Sequence, residues 1–161
     1  MDLDDEPRWL IALISDTGMR LSEACGLQAC DIHLNGNKPH INLVEHPWRS
    51  LKTSSSSRQV LLVGASFLAA HRILETGSTL AFPKYCSEAK CTANSASVAL
   101  NKWLKPRVPD GCVIHSFRHS LRDRLRAIEC PADIIDAIGG WTTEGISHQY
   151  GKGHSIESKF K

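Results

Sequence analysis

Glycine and proline cut this chain into short segments, and that punctuation limits the folds open to it more than any bulk property. Thr17-Gly18, Gly77, the Pro106/Pro109 pair, Pro131 and Gly139-Gly140 each end or open a run in which apolar residues return at helical spacing. Pro7 followed by Trp9, Leu10, Leu13 and Ile14 predicts a first helix, and Arg20 to Leu27 a second. Phe67 to Glu75, Asn94 to Leu104, Ser116 to Ile128 and Pro131 to Ile138 predict four more. Val98, Leu100, Trp103 and Leu104 are the expected apolar anchors of one of these. Phe117, Leu121, Leu125 and Ile128 are spaced for the buried face of a basic amphipathic helix. Thr142-Thr143-Glu144 reads as the start of a last short helix carrying Ser147 and Tyr150.

Two runs break the helical pattern. Ile41 to Glu45 and Arg58 to Val63 read as strands, Asp31 to Asn37 as a turn-rich approach to them. Between the strands lie Lys52 and the serine run Ser54 to Ser57, so a flexible hairpin is expected there. The expected fold class is α+β: a mostly helical domain with a small antiparallel β-sheet. With 161 residues, 42% of them apolar, and no internal repeat or composition shift, residues 1–161 are expected to form a single domain. No apolar run approaches the ~20 residues of a membrane span, and the acidic start is unlike a signal peptide, so a soluble, cytoplasmic protein is expected.

The net charge of +2 hides an asymmetry. Four of the 17 acids fall within the first six residues, so residues 7 to 161 hold 19 bases against 13 acids, a balance of +6. Lys102 to Arg126 contains seven bases, among them Lys102, Lys105, Arg107, Arg118 and Arg122, against Asp110 and Asp123. That stretch suits a polyanion, and a solvated helix face explains the charge equally well. Six cysteines in a chain without an export signal are expected to stay reduced. Cys25/Cys30 and Cys86/Cys91 have a C-x4-C spacing, looser than the usual zinc pairing, so ordinary thiols and no metal are expected.

Three separated segments carry chemistry together: TGMRLSEACGL around Arg20, HSFRHSLRDRL with His115 and Arg118, and IGGWTTEGISHQY ending at Tyr150. The ordered set resembles the catalytic domain of the tyrosine recombinase, or phage integrase, family. That family's pattern is an arginine in a G-x-R-x-S-E box, a hairpin lysine, H-x-x-R, a Gly-His/Trp, and a tyrosine some nine residues on. The matching positions are Arg20, Lys52, His115, Arg118, Trp141 and Tyr150, with Glu23 as a supporting acid. Trp141 replaces the family's commoner histidine. Lys38 is a rival for the lysine and Tyr85 for the tyrosine, although Tyr85 lacks the surrounding pattern.

The resemblance implies cleavage and rejoining of double-stranded DNA through a 3′-phosphotyrosine, with Lys52 protonating the departing 5′ oxygen. It implies no cofactor, other recombinase protomers in a synaptic complex as partners, and a DNA-associated protein. An N-terminal DNA-binding domain is not expected within these residues. The chemistry is coherent: charge builds on two non-bridging oxygens in the transition state, and planar guanidiniums grip such oxygens bidentately at any working pH. A tyrosine hydroxyl, with a reference pKa of about 10, needs neighbouring positive charge or a base, which His115 and the arginines would supply. Trp141 can donate an indole N–H to the phosphate but cannot shuttle a proton. Lys102, Lys105, Arg107 and Arg122 are candidate DNA contacts. Three other readings stay open: a non-catalytic helix-turn-helix-like DNA-binding module, a type IB topoisomerase-like enzyme, and a metal module built on the cysteines.

Overall fold

Asp5 starts the first helix by accepting the backbone N–H of Arg8, with Pro7 in the first turn, in a computed structural model that describes residues 4–52, 56–141 and 159. Helix α1 (Glu6–Thr17) ends at Gly18, whose left-handed backbone (φ 63°) lets its N–H close on the Ile14 carbonyl at 2.9 Å. After this turn comes a short helix α2 (Leu21–Cys25), then a single 3-10 turn (Ala29–Asp31). Strands β1 (Ile32–His33), β2 (His40–Leu43) and β3 (Arg58–Leu61) form an antiparallel sheet in the order β1-β2-β3. Helices α3 (Gly64–Glu75), α4 (Ala93–Leu104), α5 (Ser116–Ala127) and α6 (Ala132–Gly139) complete the described fold.

The expected α+β class holds, with three strands in place of two. Ile32–His33 lies in the stretch read as turn, and it becomes a strand because Ile32 pairs with Ile41 and His33 with His40. Local turn propensity yields there to cross-strand pairing. In β2, Ile41 and Leu43 point inward while His40 and Asn42 alternate outward.

One core unites the layers. Leu10, Leu13 and Ile14 of α1, Ile41 and Leu43 of β2, and Phe82 are all essentially inaccessible. Helix α1 packs most extensively on α3 and also contacts α5, α2 and α4, so it is the central helix. Two apolar anchors read from periodicity are corrected: Val98 is 71% exposed and Ile128 73% exposed. Periodicity defines a helical face without saying whether anything covers its end, and α5 stops at Ala127, just before Ile128. The expected helix from Thr142 and Tyr150 itself lie outside the described residues. No helix among the described residues is long and apolar enough to cross a membrane.

Candidate active site

The turn that ends α1 delivers Arg20. Its side chain and backbone are both held by Glu23, one helical turn on: the Glu23 carboxylate accepts the Arg20 backbone N–H at 2.9 Å and the Arg20 Nη1 at 2.6 Å. Ser56 Oγ lies 3.1 Å from the same Nη1. Glu23 is only 2% exposed, and Arg58 at the start of β3 donates to it through Nη2 at 3.2 Å. Burial alone would raise the Glu23 pKa, but the Arg58 charge and the hydrogen bonds from Arg20 and Arg58 outweigh it and hold the carboxyl below its ordinary range.

Arg58 was missed in the sequence. Besides Glu23 it donates through Nε to the Ile138 carbonyl (3.1 Å) and through Nη1 to the Ser56 carbonyl (2.9 Å), so it ties α2, the hairpin's return and α6 into one knot. Glu23 and Ile138 lie 35 and 80 residues away in the chain, and no local pattern announces such contacts. Arg49, likewise missed, is buried and donates to the Glu23 carbonyl at 2.9 Å and to the Val44 carbonyl.

Arg118 enters from α5. The helix begins at Ser116, which puts Arg118 in its first turn, facing inward; its Nη1 donates to the Gly18 carbonyl, at the turn just before Arg20. Gly18 is needed twice, for its positive φ and because a Cβ there would meet Leu121 of α5 at 2.6 Å. Arg118 is 3% exposed, and its buried Nη2 has no hydrogen-bond partner among the described residues. Burial first, then the charges of Arg20 and Arg58, lower its pKa to about 10, with Glu23 partly offsetting them and Arg122 adding to them. It remains charged at neutral pH. Several cations thus converge on one carboxylate, a surplus of buried positive charge that an anion would relieve.

The double glycine after α6 seats Trp141. Gly140 adopts the left-handed conformation (φ 63°), and the Trp141 N–H returns to the Asp136 carbonyl at 3.0 Å. The indole lies so close over Gly139 that a Cβ would fall 1.9 Å from the ring. Arg118 and Arg122 stack on that indole at 4.4 and 5.2 Å from its centroid. Arg122 also reaches Asp136 at 3.4 Å.

His115, just before α5, is exposed and meets His119 edge-on with ring centroids 5.0 Å apart. Partial burial, then His119, Arg118 and Arg20, lower its pKa below the ordinary histidine value, so its neutral form, the one able to accept a proton, is favoured. Two adjoining clefts share Arg20, Ser22 and Ala93. One, of about 290 Å³, includes His115, and the other, of about 310 Å³, includes Lys52 and Glu23. The structure therefore brings Arg20, Glu23, Lys52, His115, Arg118 and Trp141 to one region. Lys38 lines neither cleft, and Tyr85 is buried, 4% exposed. Lys102, Lys105 and Arg107 sit at the far end of α4, roughly two turns beyond Ala93 and Ser97, which line the first cleft. Arg107 is occupied there with Trp103, 4.3 Å from its ring.

Cys25 is a buried free thiol, and Cys30 is exposed with its S–H donating to Gln28 Oε1 at 3.2 Å. Among the described residues no group of three His, Cys, Asp or Glu side chains is arranged to hold a metal ion.

Residues 3–154 match the Phage integrase family. The chain belongs to this family. Among solved structures, the integrase of transposon Tn1549 in complex with transposon right end DNA superposes with a TM-score of 0.64 at 16% identity, covering 98% of this chain and 58% of that one. The XerH site-specific recombinase bound to difH substrate in a pre-cleavage complex gives 0.60 at 19% identity, covering 89% of this chain and 43% of that one. The integrase-family chain thus shares their fold and spans about half the length of these relatives. No curated protein sequence matches it.

Proposed function

We propose that this chain is the catalytic domain of a site-specific recombinase or integrase that cleaves and rejoins double-stranded DNA through a 3′-phosphotyrosine at Tyr150. The observation that carries the reading is the convergence of Arg20 and Arg58 on the buried carboxylate of Glu23, with buried Arg118 close enough to feel all three charges and His115 and Lys52 in the adjoining clefts. Such a cluster suits a phosphodiester whose non-bridging oxygens gain charge as phosphorus becomes five-coordinate. The relative's complex with transposon right end DNA supports DNA as the partner; duplex DNA and other protomers in a synaptic complex belong to the same proposal. A cytoplasmic, DNA-associated location accords with that partner.

In the proposed step the Tyr150 oxygen attacks the scissile phosphorus and passes its proton to neutral His115. The bond from phosphorus to the 5′ oxygen breaks, and Lys52 protonates the leaving oxygen. Arg20 and Arg118 hold the non-bridging oxygens. Trp141 supports Arg118 by stacking, so it acts as a positioning residue. Religation reverses these transfers: a 5′-hydroxyl displaces the tyrosine, which makes the exchange independent of ATP.

The test is incubation with a library of nicked suicide duplexes, read on denaturing gels for wild type and Tyr150→Phe. A covalent protein–DNA adduct in wild type and none in Tyr150→Phe is the expected result. An adduct that survives in Tyr150→Phe would remove Tyr150 as nucleophile. Equal DNA binding by both with no adduct from either, even in fusion with a DNA-binding domain, would favour the non-catalytic reading.

A further inference from the structure

The wall of the Lys52 cleft carries a group that the proposed reaction does not use. Tyr85 to Thr92 forms a tight hairpin in which Ser87 and Lys90 exchange backbone hydrogen bonds of 2.9 and 3.2 Å, and the Thr92 N–H donates to the Tyr85 carbonyl at 2.7 Å. Cys86 and Cys91 face each other across this ladder. The flanking bonds bracket them while the Cys86 N–H turns away to the Phe82 carbonyl, so the two cysteines form a non-hydrogen-bonded antiparallel pair. Such pairs hold their Cα atoms roughly 4.5 Å apart with both side chains on one face. That separation falls within the roughly 4.4–6.8 Å that a disulfide spans.

The two thiols differ in character. Cys86 is buried, whereas Cys91 is half-buried and lines the cleft together with Arg20, Arg49 and Lys52. The Cys86 S–H donates to the Ser87 carbonyl at 3.7 Å. The neighbouring Cys25 thiol, with Cys86 and Arg49 adding to it against burial, holds Cys91 below the ordinary thiol range. Burial first, then the neighbouring Cys91, pushes Cys86 above it. A cleft-lining, half-buried sulfur opposite a buried partner has the asymmetry of access that lets one thiol meet a small disulfide and the other resolve it.

We propose that Cys91 and Cys86 form a dithiol–disulfide site in the cleft wall, Cys91 attacking and Cys86 resolving, with low-molecular-weight disulfides as the reacting class. The Cys91 thiolate attacks one sulfur of the small disulfide, that S–S bond breaks, and one small thiolate leaves. Cys86 then gives its proton to solvent and its sulfur attacks Cys91 Sγ, expelling the second small thiolate as the Cys86–Cys91 bond forms. Two protein thiols are oxidised and one small disulfide is reduced to two thiols. The site stands independently of the recombinase reading, since no step in it needs DNA.

The full chain is incubated with oxidised glutathione, the remaining thiols are alkylated, and the peptides are mapped by mass spectrometry. Wild type is expected to lose the Cys86 and Cys91 thiols together into one crosslink that dithiothreitol reverses, while the exposed Cys30 and Cys112 end free or as mixed disulfides. Cys86→Ala is expected to stop at glutathione-bound Cys91, and Cys91→Ser to leave Cys86 free. Glutathione on Cys30 and Cys112 with Cys86 and Cys91 untouched in wild type would overturn the proposal. So would a stable Cys25–Cys91 crosslink in place of Cys86–Cys91. Both readouts come from the wild-type chain, so they hold even if a variant fails to fold.

Discussion

Two arginines on one helix, Arg118 and Arg126, set the interior of α5 against its surface. Both belong to the same basic stretch, yet Arg118 is 3% exposed and the Arg126 side chain 57%. Arg118 is fixed by the Gly18 carbonyl and the Trp141 ring, while Arg126 has a loose 3.7 Å pairing with Asp123. Arg124 lies between these extremes, tied to Asp16 at 3.1 Å. Charge density along a sequence therefore does not measure function. What distinguishes the inner arginine is desolvation, which strengthens its electrostatic interactions, and a geometry fixed by its neighbours, the two properties that the proposed phosphate clamp relies on.

The largest effect should come from the inner arginine. Arg118→Ala is expected to slow covalent adduct formation roughly 100- to 1,000-fold, the range for losing one preorganised donor to a developing oxyanion. Arg118→Lys should recover little of it, because a lysine cannot supply the planar fork or the stack on Trp141. Single-turnover cleavage on a nicked duplex measures both; a loss under tenfold for alanine would erase the contrast with the surface.

Next comes the knot behind it. Arg58→Met leaves Glu23 buried without its second partner and should destabilise the fold by about 3–5 kcal/mol in urea unfolding. The pH dependence has a defined sign. Because Glu23 is held below the ordinary glutamate value of 4.5 in the fold, its contribution is present above that value and is lost as pH falls through the lower folded pKa. Glu23→Gln should therefore be less stable than wild type at neutral pH and should converge with it on acidification. A constant gap between the two down to pH 2 would contradict the pairing.

Gly139→Ala has a smaller reach. Its Cβ would collide with Trp141, so about tenfold slower cleavage is expected, with a shift in Trp fluorescence, even though alanine favours a helix over glycine by roughly 0.5–1 kcal/mol. A histidine-resolved NMR titration should find His115 below 6.5, and Arg20→Gln should move it upward by removing one repelling charge. The smallest effect is at the surface: Arg126→Ala should leave cleavage within about twofold and stability within about 0.5 kcal/mol.

The contrast also separates what the sequence could disclose from what it could not. Arg20, Glu23, His115 and Arg118 are legible because each sits in a short box whose spacing reflects one turn of helix. Arg58 is not, since its bonds to Glu23 and Ile138 exist only once the sheet edge has closed on α2 and α6. The two C-x4-C spacings look alike in the sequence, and only the register of a hairpin sets Cys86 opposite Cys91 while Cys30 stays exposed. Gly139-Gly140 reads correctly as a helix stop, but its second task, clearing room for the Trp141 ring and the Arg58 guanidinium, needs the tertiary structure to be visible.

The most direct test of a phosphate clamp built from Arg20 and Arg118 replaces one charged oxygen of the target. Once the cleavage position is mapped, adduct formation by wild type and Arg118→Ala is compared on a phosphodiester and on a methylphosphonate, which lacks the negative charge at that phosphorus. A clamp that acts by neutralising this charge predicts that the 100- to 1,000-fold defect on the phosphodiester shrinks to about tenfold or less on the methylphosphonate. An equal defect on both substrates would contradict it and would leave Arg118 as a structural support for the Gly18 turn.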